Sequence, residues 1–130
     1  MGANINNENE LRPLKTGELK YDRQGLIPAV IQDERNNEIL MVGYMNEEAL
    51  KRTLKEGRVC FWSRSRQKYW VKGETSGNYF ELKSIMADCD ADTLLLKVIP
   101  LGPGKACHTG RYSCFFNTLA GFKQREERND

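Results

Sequence analysis

A chain of 130 residues with 39% apolar and 29% charged side chains has room for one domain with a modest core and falls in the ordinary soluble range. A formal charge of only +2 supplies no general basic field, which argues against a nucleic-acid partner. No apolar run approaches the roughly 20 residues that span a bilayer, and Met1 to Asn7 has neither the basic start nor the apolar core of a secretion signal, so a cytoplasmic location without membrane attachment is expected.

Both ends are polar or charged, which predicts tails at 1–11 and 123–130 around a domain at 12–122. Leu26 to Ile31 is apolar and partly β-branched, Gln32 to Asn37 carries turn chemistry, and Ile39 to Val42 is apolar again; together they predict a hairpin. Next comes the clearest helix. Asn46 caps it, Glu47 and Glu48 suit its positive end, Leu50 and Leu54 share a face, and Gly57 offers a left-handed stop. Val59 to Ser63, Tyr69 to Val71, Tyr79 to Met86 and Thr93 to Ile99 read as strands separated by Gly, Asn and Pro. Pro100 to Lys105 ends the last strand and opens a loop carrying Cys107 and His108, after which Phe115, Phe116 and Leu119 are expected to anchor the end of the domain. The fold class is α+β: a strand-rich single domain with a mostly antiparallel sheet and few helices.

Three of the four cysteines and the only histidine fall in the second half, beside three alternating carboxylates. In a reducing compartment this crowding suits metal binding better than disulfides. Cys89, Cys107 and Cys114 form a soft thiolate set, and Asp88, Asp90 and Asp92 a hard oxygen set. Three sulfurs leave a tetrahedral zinc one ligand short, and an activated water in that place points to hydrolysis. If Asp88 to Asp92 continues a strand, alternation puts the carboxylates on one face and Cys89 on the other. Their mutual repulsion argues for magnesium, manganese or calcium; the alternative is a solvated acidic turn. An EF-hand fails, because Thr93 stands where the glycine is required and Ile99 where the glutamate is. Cys60, between Val59 and Phe61, reads as a small buried hydrophobe.

His108 could be a ligand, a structural residue or a proton-transfer group. Its adjacency to Cys107 favours catalysis, since neighbours in an extended loop point different ways. The zinc-deaminase signature is absent. Arg64, Arg66, Lys68 and Lys72 form a basic patch beside Lys72 to Asn78, where Gly73 and Gly77 flank Glu74, Thr75 and Ser76. That segment is either a hairpin turn or a backbone-and-hydroxyl nest for phosphate. Trp62, Tyr69 and Trp70 interleave with basic residues, as a half-buried sheet or a base-stacking surface would.

Several segments in order, Gly25-Leu26-Ile27-Pro28-Ala29, Met41-Val42-Gly43-Tyr44-Met45-Asn46, Trp62-Ser63-Arg64-Ser65-Arg66, Lys72 to Asn78, Asp88 to Asp92, and Ala106 to Gly110 with Ser113-Cys114-Phe115, closely resemble the phosphoribosyl-AMP cyclohydrolase family of histidine biosynthesis. The resemblance runs from about Leu19 to Phe116. It implies an intertwined homodimer in which Cys89 of one subunit, with Cys107 and Cys114 of the other, binds Zn2+. It implies that Asp88, Asp90 and Asp92 hold Mg2+, that Arg64, Lys72, Gly73, Glu74, Thr75, Ser76, Gly77 and Asn78 meet the substrate, and that His108 is the acid or base. The substrate implied is phosphoribosyl-AMP, whose adenine ring a zinc-activated water would open at the N1–C6 bond, giving the phosphoribosylformimino aminoimidazole carboxamide ribotide. The competing readings are a zinc-stabilised nucleic-acid-binding module and a non-catalytic, metal-dependent dimerisation protein.

Overall fold

Apolar residues at every second position from Ile27 to Asp33 and from Leu94 to Pro100 make these the two strands that carry the core. Ile27, Ala29, Ile31, Leu94, Leu96 and Val98 are all buried, with half-buried residues between them. The computed structural model describes residues 4–6 and 10–124. Its strands are β1 (Asn4–Asn6), β2 (Glu10–Arg12), β3 (Ile27–Asp33), β4 (Ile39–Met45), β5 (Cys60–Ser63), β6 (Lys68–Val71), β7 (Phe80–Ala87) and β8 (Leu94–Pro100), with helix α1 (Glu47–Glu56) between β4 and β5. Within the expected N-terminal tail, β1 and β2 pair antiparallel. The rest of the tail readings, at 1–3, 7–9 and 125–130, lies outside the described residues.

The main sheet has the order β4-β3-β8-β7, and β5 with β6 forms a separate hairpin. Every pairing is antiparallel except β3 with β8, which run parallel from Ala29 opposite Leu94 to Asp33 opposite Val98. The sheet is therefore mixed. A parallel pair cannot be closed by a tight turn, so α1, the β5–β6 hairpin and β7 are all placed in the excursion between β3 and β8.

α1 starts and stops where its residues dictate. The Asn46 side chain accepts from the Ala49 N–H at 2.8 Å, and Gly57, at φ 72°, donates its N–H to the Thr53 carbonyl. Its buried face is Ala49, Leu50 and Thr53. Leu54, expected to share that face, is half exposed instead, because Thr53 takes the inward position. The Thr53 hydroxyl donates to the Ala49 carbonyl at 2.9 Å and accepts from the Cys60 N–H at 2.9 Å, which fixes the helix to the first residue of β5. Cys60 is buried in the core beside Phe61, as its apolar neighbours suggested.

The C-terminal expectation is corrected. Phe115, Phe116 and Leu119 are 64%, 41% and 92% exposed, because the chain leaves the sheet after Cys114 and forms no strand or helix over 115–119. Among the described residues no helix is long and apolar enough to cross a membrane.

Replacing Thr53 by Val keeps the volume but leaves a buried N–H without its acceptor. Urea denaturation of Thr53→Val is expected to show a loss of about 1–3 kcal/mol.

Candidate active site

The acidic triplet does not continue β7. After Ala87 the chain folds back: the Ala91 N–H bonds the Asp88 carbonyl at 2.9 Å, the Asp88 N–H bonds the Thr93 carbonyl at 3.0 Å, and Ala91 takes a left-handed φ of 59°. The turn, rather than strand alternation, is what converges the carboxylates of Asp88, Asp90 and Asp92, whose oxygens lie within 4.8 Å of one another. All three are exposed, as is Cys89 on the same turn. Three converging oxygens suit a hard divalent cation.

The cysteine loop begins at the other end of β8. It folds on itself through bonds from the Ala106 N–H to the Tyr112 carbonyl (3.2 Å), from the Cys107 N–H to the Arg111 carbonyl (3.0 Å) and from the Gly110 N–H to the Cys107 carbonyl (2.9 Å). The Thr109 hydroxyl donates to the Cys107 sulfur at 3.1 Å. That bond, with further help from the Thr109 N–H, the Cys114 thiol and the Lys72 ammonium, holds the Cys107 thiol below its usual range. Burial pushes the neighbouring Cys114 thiol up, and its bond to Cys107 adds to this. The two thiols are thus shifted in opposite directions, Cys107 toward easier and Cys114 toward harder loss of its proton.

Three attachments set where this loop lies. The half-buried Lys72 ammonium donates to the Ala106 carbonyl at 2.5 Å, and burial pushes its pKa down. Gly102, at φ 73°, packs so tightly on the 73–78 loop that a Cβ would stand 2.2 Å from the Gly77 carbonyl oxygen, and the Asn78 side chain accepts from the Lys105 N–H at 3.1 Å. On the far side the Tyr112 hydroxyl donates to Asp33 at 2.5 Å, Ser113 bonds the Ile39 carbonyl, and the Cys114 N–H bonds the Leu40 carbonyl.

Between these loops lies a cavity of about 590 Å³, lined by His108, Lys72, Gly73, Glu74, Thr75 and Ser76 together with Ser63, Arg66, Lys68, Trp70 and Val71. Six of the sequence-predicted residues thus share one cavity. Gly77 and Asn78 are used instead to seat the cysteine loop. Arg64 lies in an adjoining cleft with its guanidinium 3.9 Å from the centre of the Tyr44 ring. Arg66 and Lys68, read in the sequence only as members of a basic patch, take the wall beside His108. The signal was available for Lys68: the two-residue period of β6 puts it on the same face as Trp70 and Lys72. Trp62 and Trp70 are half-buried and pack against Tyr69 and Phe61, with ring centres 4.8 and 4.9 Å apart.

Among the described residues the aspartate triplet is the set of three ligand groups that converges; Cys89 does not join Cys107 and Cys114 within one chain.

A family model described as Phosphoribosyl-AMP cyclohydrolase matches residues 41–116, which takes in both loops, the acidic turn and all four cysteines. The chain belongs to the phosphoribosyl-AMP cyclohydrolase family. It is 50% identical over 128 residues to the phosphoribosyl-AMP cyclohydrolase of Bifidobacterium longum subsp. infantis, covering 95% of this chain and 93% of that one. It is 54% identical over 104 residues to the phosphoribosyl-AMP cyclohydrolase of Paracoccus denitrificans, covering 80% and 84%. Over 101 residues it is 55% identical to the histidine biosynthesis bifunctional protein HisIE of Photobacterium profundum, covering 78% of this chain and 48% of that one. The chain is an enzyme, a hydrolase of the cyclohydrolase family whose substrate is phosphoribosyl-AMP.

The buried anchor of the cysteine loop has a pH signature. The Arg35 guanidinium, and after it the Tyr112 hydroxyl, hold the Asp33 carboxyl at about 2 against the opposing effect of burial. A carboxyl depressed on folding adds stability that is present above its ordinary range near 4 and is lost as pH falls toward 2. In urea titrations, the advantage of the wild type over Asp33→Asn is therefore expected to shrink by about 2 kcal/mol between about pH 5 and about pH 2.

Proposed function

We propose that the chain works in the cytoplasm as a homodimer in histidine biosynthesis, hydrolysing the N1–C6 bond of the adenine ring of phosphoribosyl-AMP to give the phosphoribosylformimino aminoimidazole carboxamide ribotide. The observation that carries this reading is the cavity that gathers His108, Lys72 and the 73–76 loop beside the Cys107–Cys114 pair in a chain of this family. Its volume of about 590 Å³ is in the ordinary range for a small-molecule site.

The donor sets support two metals. Cys107, already held toward the thiolate, and the adjacent Cys114 suit a soft metal such as Zn2+, with Cys89 of a second copy as the third sulfur. Asp88, Asp90 and Asp92 suit Mg2+. Exposed Phe115, Phe116, Leu119 and Phe122 also favour a second copy, because exposed apolar side chains clustered in sequence commonly mark a contact surface. When bound, zinc would supply the Lewis acidity that makes water nucleophilic near neutral pH.

The chain's own residues do the rest. His108, on the cavity wall, moves the proton that N1 gains as water adds its oxygen to C6 and the bond opens. Thr75, Ser76 and the backbone around Gly73 cradle a phosphate, with the Lys72 charge behind them and Arg66 and Lys68 alongside. Glu74 shapes the same wall. Gly77 and Asn78 hold that loop against the cysteine loop, and Arg64 meets the second phosphate-bearing end from the adjoining cleft. Because water is the only co-substrate, no redox cofactor is needed.

Ring opening followed by ultraviolet absorbance should appear with Zn2+ and Mg2+ present and vanish from protein stripped of both. Cys107→Ala is expected to lose bound zinc and most turnover together; a variant that keeps its zinc and near-normal turnover contradicts the assignment.

A further inference from the structure

Asp33 is a charged side chain with no exposed surface that the proposed chemistry does not use. Burying a carboxylate is costly unless its lone pairs are filled, and Arg35 and Tyr112 fill them here. The Arg35 side chain reaches it with Nε at 3.0 Å and Nη2 at 2.8 Å, and the Arg35 N–H adds a third bond at 2.9 Å. These partners are local, two residues along the chain. The remaining donor is not: the Tyr112 hydroxyl, at 2.5 Å, arrives from the far end of the domain.

Tyr112 stands between the two paired cysteines, and each of its polar ends is engaged. Its carbonyl accepts from the Ala106 N–H beside Cys107, and its hydroxyl is held by Asp33 and by the Asn36 side chain at 3.0 Å. On the other side, the Cys114 N–H is pinned to the Leu40 carbonyl at 2.8 Å. Both sulfur-bearing backbones are therefore referenced to the same corner of the sheet, where β3 ends and β4 begins. A carboxylate acceptor shielded from water makes the bond to the phenol stronger and more directional than a neutral acceptor would.

We propose that Asp33, acting through Tyr112, is a positioning residue that fixes the separation of the Cys107 and Cys114 sulfurs and so sets the loop's affinity for a thiophilic divalent metal. The inference rests on the reading of Cys107 and Cys114 as metal ligands. Partners behind the ligands of a metal site commonly change affinity by about 10- to 100-fold when removed.

The test uses the full chain, stripped of metal and titrated with Co2+, whose sulfur-to-cobalt charge-transfer absorption reports thiolate ligation directly and is not produced by the aspartate triplet. Tyr112→Phe removes one hydroxyl and leaves Asp33 with Arg35; its affinity for Co2+ is expected to fall by about 10- to 100-fold. Thr53→Val, destabilised at a site remote from the loop, controls for stability alone and is expected to bind as the wild type does. Asp33→Asn should weaken binding in the same direction, and adding Tyr112→Phe to it should weaken binding little further. Tyr112→Phe that binds Co2+ like the wild type, or that falls only as far as Thr53→Val, overturns the proposal. A wild-type protein with no charge-transfer absorption removes the metal reading itself, and this inference with it.

Discussion

The seven residues of β8 set the arrangement on which the chemistry depends. The acidic turn with Cys89 enters the strand at Leu94, and the cysteine loop leaves it at Pro100, so the two sets of candidate ligands belong to opposite ends of a strand about 20 Å long. Bending cannot close that distance, because β8 is paired on both sides, parallel to β3 and antiparallel to β7, in the middle of the core. Among the described residues of one chain Cys89 does not converge with Cys107 and Cys114, and that is why the proposed three-sulfur site calls on a second copy.

At the Pro100 end, three non-local attachments turn separate loops into one cavity. Lys72 on the Ala106 carbonyl joins the edge of β6 to the cysteine loop, the contact of Gly77 with Gly102 removes the space between the 73–78 loop and the segment after β8, and Asp33 with Tyr112 fixes the far side. Each attachment uses a feature that would be wasteful elsewhere: a half-dehydrated lysine, a glycine at 102 with no room for a side chain, and a wholly buried carboxylate. Local rules of propensity and solvation are relaxed where a site is being held in shape.

Most local elements were legible because their causes are local. The alternation of Ile27, Ala29 and Ile31, the Asn46 cap and the left-handed Gly57 each act within a few residues, and the strands and α1 fall where those signals put them. Where the structure departs from the local pattern, the reason is physical. Asp88, Asp90 and Asp92 alternate as a strand would, yet backbone bonds across Asp88 to Thr93 close a turn that brings the same oxygens together another way. Phe115, Phe116 and Leu119 are apolar enough for a core, but β4, β3, β8 and β7 already fill the sheet, and the chain leaves it. The parallel pairing of β3 with β8 and the bond from Tyr112 to Asp33 join residues 65 or more positions apart, and no local pattern encodes either. The cavity lies between these cases: Lys72, His108 and the 73–76 loop were readable as chemistry, whereas the place of Arg66 on its wall was not, because side-chain direction near a hairpin turn is not fixed by composition.

The most direct test of the shared site is complementation between two inactive variants. Cys89→Ala and Cys107→Ala are purified separately, mixed in equal amounts, dissociated, reassociated with Zn2+ and Mg2+, and assayed for ring opening of phosphoribosyl-AMP. If each site draws Cys89 from one copy and Cys107 with Cys114 from the other, every mixed dimer carries one intact site, and the mixture should recover about a quarter of wild-type turnover. A mixture that forms mixed dimers yet stays as inactive as its parents would contradict a site divided between two chains.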